Sequence, residues 1–155
     1  MDVSQGQREM IVAGCDVGSA TTKAVVMDDR GILAFQIART RGEAVRSACE
    51  VMDALLRRLQ LSYEALDCCV STGYGRKIIP FASGEVSEMS CHGRGAKWLL
   101  PSVSTVIDGG GQDCKAIRVS AEGMLEEFRI NMKCAAGTGR ALELMAESCG
   151  VDVSD

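Results

Sequence analysis

The sequence predicts an α/β fold built from two similar halves. Strand-like apolar runs alternate with amphipathic helical patterns, two of the strands lead into glycine-rich turns, and one 19-residue pattern recurs later in the chain. The chain has 155 residues, 46% of them hydrophobic and 25% charged, as is typical of a globular protein that can bury a core.

The recurring pattern relates residues 15–33, CDVGSATTKAVVMDDRGIL, to residues 107–125, IDGGGQDCKAIRVSAEGML. Six positions are identical without a gap, and they pair Asp16 with Asp108, Gly18 with Gly110, Lys23 with Lys115, Ala24 with Ala116, Gly31 with Gly123, and Leu33 with Leu125. We therefore predict equivalent β-hairpins at 12–35 and 104–127, in two separate subdomains. The alternative is two ordinary hairpins that bind no ligand.

The elements follow from local patterns, in chain order. The first three strands are predicted in MIVAGCDVG, TKAVVMDD and GILAFQIART. GEAVRSACEVMDALLRRLQL has apolar residues at helical spacing, LDCCVSTGYGR predicts a buried strand before a glycine turn, and EMSCHGRGAKWLL predicts a second helix. After Pro101, strands are predicted in STVIDGGGQDCKAIRV and GMLEEFRINMK. A last helix is expected from about Thr138 to Cys149, where Gly150 suits its C-terminal cap.

Composition excludes several classes of function. Lys and Arg number 17 against 21 Asp and Glu, so the net charge is −4, which gives no support to binding of nucleic acid or acidic membranes. No run of 18 apolar residues predicts a membrane span, and the polar N-terminus lacks a signal peptide's apolar core, so a cytoplasmic protein is expected. The eight cysteines include no CxxC pair, and most are expected to be buried, reduced thiols.

Both glycine-rich turns suit an anionic ligand. Glycines let the backbone approach a ligand closely, and the N–H groups of a turn can point at an anion. An Asp at the end of each first strand suits magnesium, held directly or through water. Two such turns facing each other would clamp the phosphates of a nucleotide.

The motifs also carry a family resemblance. DVGSATTK and DGGGQD resemble the two phosphate loops of the actin, hexokinase and Hsp70 ATPase superfamily. Together with STGYGR, SEMSCHGRGA and KCAAGTGR, they resemble the activators (component A, archerases) of 2-hydroxyacyl-CoA dehydratases and the ATPase subunits of benzoyl-CoA reductase, the BadF/BadG/BcrA/BcrD family. The resemblance implies duplicated ribonuclease-H-like subdomains, here at 1–103 and 104–155, with the second one incomplete.

The resemblance also implies roles for individual residues. Asp16 would organise magnesium, Asp108 and Gln112 would take part in catalysis, and Gln112 would orient the attacking water, with a solvated turn residue as the alternative. Phosphate contacts are implied for Gly18, Ser19, Ala20, Thr21, Thr22, Lys23, Gly110, Gly111, Gln112 and Asp113. His92 is the only histidine in the sequence, and a structural role is expected for it.

Cys134, in the family pattern, ligates a four-iron, four-sulfur cluster shared across a homodimer. The residue types agree, because a thiolate at a helix start is favoured by the helix dipole, and the following small residues leave room for a cluster. A buried structural cysteine is the alternative. Cys149 is 15 residues further along the sequence, near the far end of the helix predicted after Cys134, which at the rise of a helix is roughly 20 Å away, so it cannot be the second ligand. The 155-residue chain alone is therefore expected not to hold a stable cluster. Gly109 and Met132 depart from the residues usual in the family.

The implied activity is ATP hydrolysis coupled to electron transfer in anaerobic metabolism. Hydrolysis would change the angle between the two halves, and the reduced cluster would pass one electron to a dehydratase partner after reduction by a ferredoxin or flavodoxin. The rivals are a small-molecule kinase of the same superfamily, which needs no iron, and an inactive fragment that acts at most as a binding module.

Overall fold

The structure is a computed structural model that describes residues 9–111, 113–131 and 138–152. Its contacts divide the chain into two compact units, with the boundary between Val86 and Ser87. None of the described helices has the length and apolar character that crossing a bilayer requires.

The first unit, within the described residues, contains a five-stranded sheet in the order β3-β2-β1-β4-β5. The strands are β1 (Val12–Val17), β2 (Thr21–Asp28), β3 (Gly31–Arg39), β4 (Cys68–Gly73) and β5 (Gly84–Glu85), and helix α1 spans Ala44–Leu59. β1 to β3 are antiparallel, whereas β4 runs parallel to β1 and to β5. A parallel pair needs a crossover connection, which α1 supplies. This order agrees with the predicted ribonuclease-H-like subdomain.

The core of the first unit lies between α1 and one face of this sheet. The buried face of α1 repeats at helical spacing and comprises Ala48, Val51, Met52, Leu55 and Leu56. Burying each of the larger side chains contributes about 1.5–3 kcal/mol. β1 and β2 alternate buried and partly exposed residues. The partly exposed positions are even-numbered in β1, where they include Asp16, and odd-numbered in β2, where they include Lys23. These positions lie on the sheet face opposite α1.

Two buried cysteines belong to this core, but the prediction that most cysteines are buried is wrong for the described residues, because Cys49, Cys68, Cys91 and Cys114 are partly exposed and Cys149 is exposed. Cys15 is 2% exposed and Cys69 is 3% exposed, and burial raises the pKa of Cys15 to about 12 and that of Cys69 to about 11. These thiols therefore stay protonated near neutral pH and act as small apolar side chains. All described cysteines are free.

The second unit contains an antiparallel sheet of β6 (Thr105–Gly109), β7 (Cys114–Val119) and β8 (Leu125–Asn131), together with α2 (Glu88–Leu99) and α3 (Gly139–Cys149). α2 contacts all three strands. A Cβ on Gly93 would lie 2.5 Å from Val119 Cγ1, so glycine allows α2 to pack closely on β7. α3 ends as predicted, with Gly150 in the left-handed conformation at φ 68°.

The division by contacts differs from the one predicted from the repeat. The sequence placed α2 in the first subdomain, 1–103, because it precedes the second copy of the repeat. In the structure α2 packs on the three-stranded sheet, so it belongs to the second compact unit. The repeat alone carried no information about which sheet this helix would cover.

The predicted duplication is confirmed by strand register. Asp16 lies opposite Lys23 between β1 and β2, and Asp108 lies opposite Lys115 between β6 and β7. A β-bulge interrupts the next ladder at Val26/Met27 in the first unit and at Arg118/Val119 in the second, which are equivalent positions of the repeat. The two hairpins lie in separate sheets.

The gapless alignment of the two copies of the repeat is wrong after the turns that join β2 to β3 and β7 to β8. Met27 pairs with Ile32, whereas Val119, its equivalent, pairs with Leu125. Leu125 therefore corresponds to Ile32 and not to Leu33, because the second copy has one additional residue between β7 and β8. Gly31 and Gly123 both have positive φ, at 137° and 80°, so each turn uses its glycine for the conformation that side chains disfavour.

Candidate functional site

Loop 1 comprises residues 16–23 and joins β1 to β2. Lys23 Nζ donates a hydrogen bond to Asp16 Oδ2 at 2.9 Å. Their side chains are 41% and 20% exposed, and a pair this accessible to solvent contributes only about 0–1 kcal/mol. Little free energy therefore opposes a rearrangement in which either charge turns to a ligand.

The backbone of loop 1 is braced by β3 and by the residue that follows it. Gly18 N–H donates to Thr21 O at 3.1 Å, and a Cβ on Gly18 would lie 3.0 Å from that same oxygen. Thr40 donates from its backbone N–H to Ala20 O and from Oγ1 to Gly18 O, and it bonds Thr22 Oγ1 at 2.9 Å. The Thr22 hydroxyl is fully buried and is engaged inside the loop. Ser19 and Ala20 are exposed at the tip.

β4 ends directly against Asp16. Gly73 has φ 83°, and a Cβ there would lie 2.3 Å from Asp16 Oδ1 and 2.6 Å from Val17 O. This close approach therefore requires a glycine at the first glycine position of the STGYGR motif. Thr72 pairs with Asp16 in register, which puts the two side chains on the same sheet face. Among the described residues, Thr72 Oγ1 is the buried side-chain oxygen or nitrogen that lacks a hydrogen-bond partner.

An unpartnered buried hydroxyl is destabilising, by about 1–3 kcal/mol. Because this oxygen is almost inaccessible to solvent, the Thr72 side chain has to shift slightly before a phosphate, or water bound to magnesium, close to Asp16 can satisfy it. The residues present at loop 1 therefore fit a magnesium nucleotide. Sequence reasoning missed Thr72, although it lies inside the STGYGR motif that signalled the family.

Loop 2 comprises residues 108–115 and joins β6 to β7; Gln112 lies outside the described residues. Gly110 N–H donates to Asp113 O at 2.9 Å, the equivalent of the Gly18 bond in loop 1. Lys115 is 4% exposed, and its Nζ lies 2.6 Å from Asp113 Oδ1, 3.2 Å from Glu88 Oε1 and 3.4 Å from Asp108 Oδ2. Gly111 is exposed.

The charge state of Lys115 follows from these contacts. Burial works to lower the pKa of its ammonium group, but the hydrogen bonds with Asp113 and Glu88 and the charge of Asp108 outweigh burial and raise the pKa above its ordinary value. Lys115 is therefore a permanent cation near neutral pH.

His92 adds a further contact to loop 2. Its Nδ1 lies 2.9 Å from Asp108 Oδ2, and it is one helical turn after Glu88 on α2. The sequence predicted a structural role for His92 and no site role for Glu88 or Lys115. The available signals were the four-residue spacing of Glu88 and His92 and the equivalence of Lys115 to Lys23.

Oxygen and nitrogen atoms that could bind a cation lie in loop 1, and in loop 2 together with the neighbouring helix α2. Asp16 can hold magnesium at loop 1. At loop 2, Glu88, His92 and Asp108 each bring one ligand atom within 4.8 Å of the others. Lys115 Nζ already lies close to two of these three groups, so its ammonium supplies positive charge there.

The start of α3 rests on loop 2. Gly139 N–H donates to Gly110 O at 2.9 Å, and a Cβ on Gly139 would lie 3.3 Å from Gly109 O and 3.5 Å from Gly110 O. Thr138, which precedes the helix, is 2% exposed. Cys134 lies outside the described residues, four positions before this buried threonine.

Comparison with known proteins gives consistent matches. The BadF/BadG/BcrA/BcrD ATPase family profile matches residues 13–155. The activator of lactoyl-CoA dehydratase from Anaerotignum propionicum is 42% identical over 138 residues, which are 88% of this chain and 53% of that protein.

Two solved structures are similar over 94% of this chain. Component A of the (R)-2-hydroxyglutaryl-CoA dehydratase of Acidaminococcus fermentans has a TM-score of 0.86 at 37% identity, with 56% of that chain covered. The activator of the 2-hydroxyisocaproyl-CoA dehydratase from Clostridium difficile, with bound ADPNP, has a TM-score of 0.83 at 38% identity, with 54% covered. These likenesses confirm the predicted α/β fold of the actin, hexokinase and Hsp70 ATPases. The chain spans about half the length of the proteins it matches.

Proposed function

This chain belongs to the BadF/BadG/BcrA/BcrD ATPase family, and on that premise we propose that it acts in an ATP-dependent activator of a 2-hydroxyacyl-CoA dehydratase or a related CoA-ester reductase. The observation that carries the proposal is the equivalence of loops 1 and 2. Each places an aspartate opposite a lysine on antiparallel strands and closes its turn with the same glycine N–H bond. In both loops this bond fixes the turn, and phosphate would be recognised by the other backbone N–H groups of the loop.

We propose that loop 1 contacts the nucleotide phosphates and magnesium. Asp16 would organise the metal, in part through water, while Lys23 and the backbone of residues 18–22 would contact the phosphates. The unpartnered Thr72 hydroxyl beside Asp16 supports a ligand there. Bound ADPNP in a similar activator supports a nucleotide as that ligand.

For loop 2 we propose the hydrolytic role. Asp108 and Gln112 would act on the attacking water, and Gly110, Gly111 and Asp113 would contact the phosphates. A group held near developing charge by a rigid loop stabilises a transition state without reorganisation. The hydrogen bonds that Lys115 donates to Asp108 and Asp113 support such rigidity.

Cys134 is proposed as a ligand of a four-iron, four-sulfur cluster shared across a homodimer. When bound, the cluster would supply the low-potential electron that a dehydratase partner needs, after reduction by a ferredoxin or flavodoxin. The hydrogen bond between Gly139 and the loop 2 backbone supports coupling of ATP hydrolysis to the cluster, because a displacement of Gly110 on hydrolysis would also move the start of α3.

Substitution of Cys134 tests the metal part of this proposal. In a chain of the relatives' full length, purified without oxygen, we expect Cys134→Ser to remove nearly all iron and sulfide and to leave nucleotide binding within about threefold, since loop 1 is untouched. Cys149→Ser is the matched control, because Cys149 is an exposed thiol at the other end of α3. Iron that survives Cys134→Ser would overturn the ligand assignment, and full-length wild type without iron would favour the kinase rival.

A further inference from the structure

The lysines of the two loops differ in their surroundings, although the repeat makes them equivalent. Lys23 is 41% exposed, and Asp16 is its salt-bridge partner among the described residues. Lys115 is 4% exposed and lies close to Asp108, Asp113 and Glu88. Within the described part of the chain, loop 2 is therefore held by charged contacts that loop 1 lacks.

Two of these additional contacts come from one face of α2. Glu88 and His92 are four residues apart, so their side chains project from the same side of the helix. Glu88 accepts from Lys115 at 3.2 Å, and His92 Nδ1 lies 2.9 Å from Asp108 Oδ2. Thus α2 contacts both charged residues that loop 2 shares with loop 1.

The backbone of α2 is fixed close to the sheet. Ser87 caps the helix by accepting from Ser90 N–H at 3.2 Å. Gly93 follows His92 directly, and the absence of its side chain lets the helix approach Val119 on β7. This close packing brings the His92 ring within reach of Asp108.

We propose that His92 and Glu88 are positioning residues of loop 2: His92 donates from Nδ1 to fix Asp108, and Glu88 fixes Lys115, so that α2 sets the geometry of the loop. The inference deepens the proposed function, on which it rests for the role of loop 2. A carboxylate that accepts from an imidazole N–H has a restricted orientation, and the same bond fixes the tautomer of the imidazole. Neither residue needs to touch the nucleotide to affect hydrolysis.

The tautomer of His92 gives a test that does not depend on activity. Because this histidine is the only one in the sequence, long-range ¹H–¹⁵N correlation spectra of the imidazole need no assignment. At a pH where the ring is neutral, we expect the proton on Nδ1 in the wild-type 155-residue chain. We expect a shift toward the Nε2–H form in Asp108→Ala and no change in Asp16→Ala, the equivalent substitution in loop 1. A wild-type ring protonated on Nε2 would overturn the proposal.

Kinetics test the positioning role in full-length protein. We expect His92→Ala to lower kcat for ATP hydrolysis about tenfold while KM for ATP changes less than threefold, because the nucleotide keeps its contacts with loop 1. The side-chain amide of His92→Asn can donate in place of Nδ1–H. The kcat of this variant should therefore be at least about threefold higher than that of His92→Ala. An unchanged kcat in His92→Ala, or no rescue by asparagine, would contradict the inference. Absence of ATP hydrolysis in the wild type would instead count against the proposed function. The contact between His92 and Asp108 would then still be tested by the tautomer of the His92 ring.

Discussion

Replacement of Asp16 or Lys23 by alanine is expected to abolish ATP hydrolysis by the full-length protein, with kcat/KM falling at least about 100-fold. Each substitution removes a charge that the proposal directs at magnesium or phosphate. The two charges form a partly exposed pair in the described structure, so their loss should leave the fold intact.

Phosphate release measured over a range of ATP concentrations checks this expectation. Arg58→Ala is the matched control, because Arg58 is an exposed cation of the first unit in the last turn of α1. The control should turn over at the wild-type rate. Near-normal turnover in both Asp16→Ala and Lys23→Ala would exclude loop 1 as the phosphate site.

Lys115→Met is expected to destabilise the second unit by about 3–5 kcal/mol, because it leaves three partly buried carboxylates without their cation. The equivalent substitution Lys23→Met should lower the free energy of unfolding by only about 0–1 kcal/mol, since its ion pair is more accessible to solvent. Urea unfolding of the 155-residue chain, followed by circular dichroism and by the fluorescence of Trp98 on α2, measures both. Equal effects of the two substitutions would contradict the contacts described for Lys115.

The pH dependence of this effect has a definite sign. The folded-state pKa of Lys115 is raised above the ordinary value of 10.5, so its contribution to stability is complete below that pH and is lost only as pH rises through the folded-state pKa. The stability difference between wild type and Lys115→Met should therefore be the same at pH 7 and pH 9.

The repeat predicted more of the structure than the individual element patterns did. Strand register is fixed where one sheet face is buried, so matching Asp16 with Asp108 and Lys23 with Lys115 also fixed the pairing of both hairpins. The additional residue before β8 could not be predicted from identities alone, because the glycine at the end of each turn and a leucine after it happened to align.

The contacts around loop 2 depend on tertiary packing. Glu88 and His92 reach Lys115 and Asp108 only because α2 lies on the three-stranded sheet, and no local pattern specifies which sheet a helix will cover. The lack of a hydrogen-bond partner for the buried Thr72 hydroxyl likewise depends on tertiary packing, since a buried threonine hydroxyl usually has such a partner. Sequence reasoning therefore located the loops and missed the side chains that hold them.

We propose that ATP hydrolysis by the full-length protein activates a CoA-ester dehydratase, and this activation can be measured directly. Full-length protein, reduced with dithionite without oxygen, would be mixed with a 2-hydroxyacyl-CoA dehydratase component and either ATP or ADP. We expect dehydratase activity to appear with ATP, to stay absent with ADP, and to be lost in both Asp16→Ala and Cys134→Ser. Activation that is independent of ATP, or transfer of the ATP γ-phosphate to a small-molecule acceptor without activation, would contradict the account.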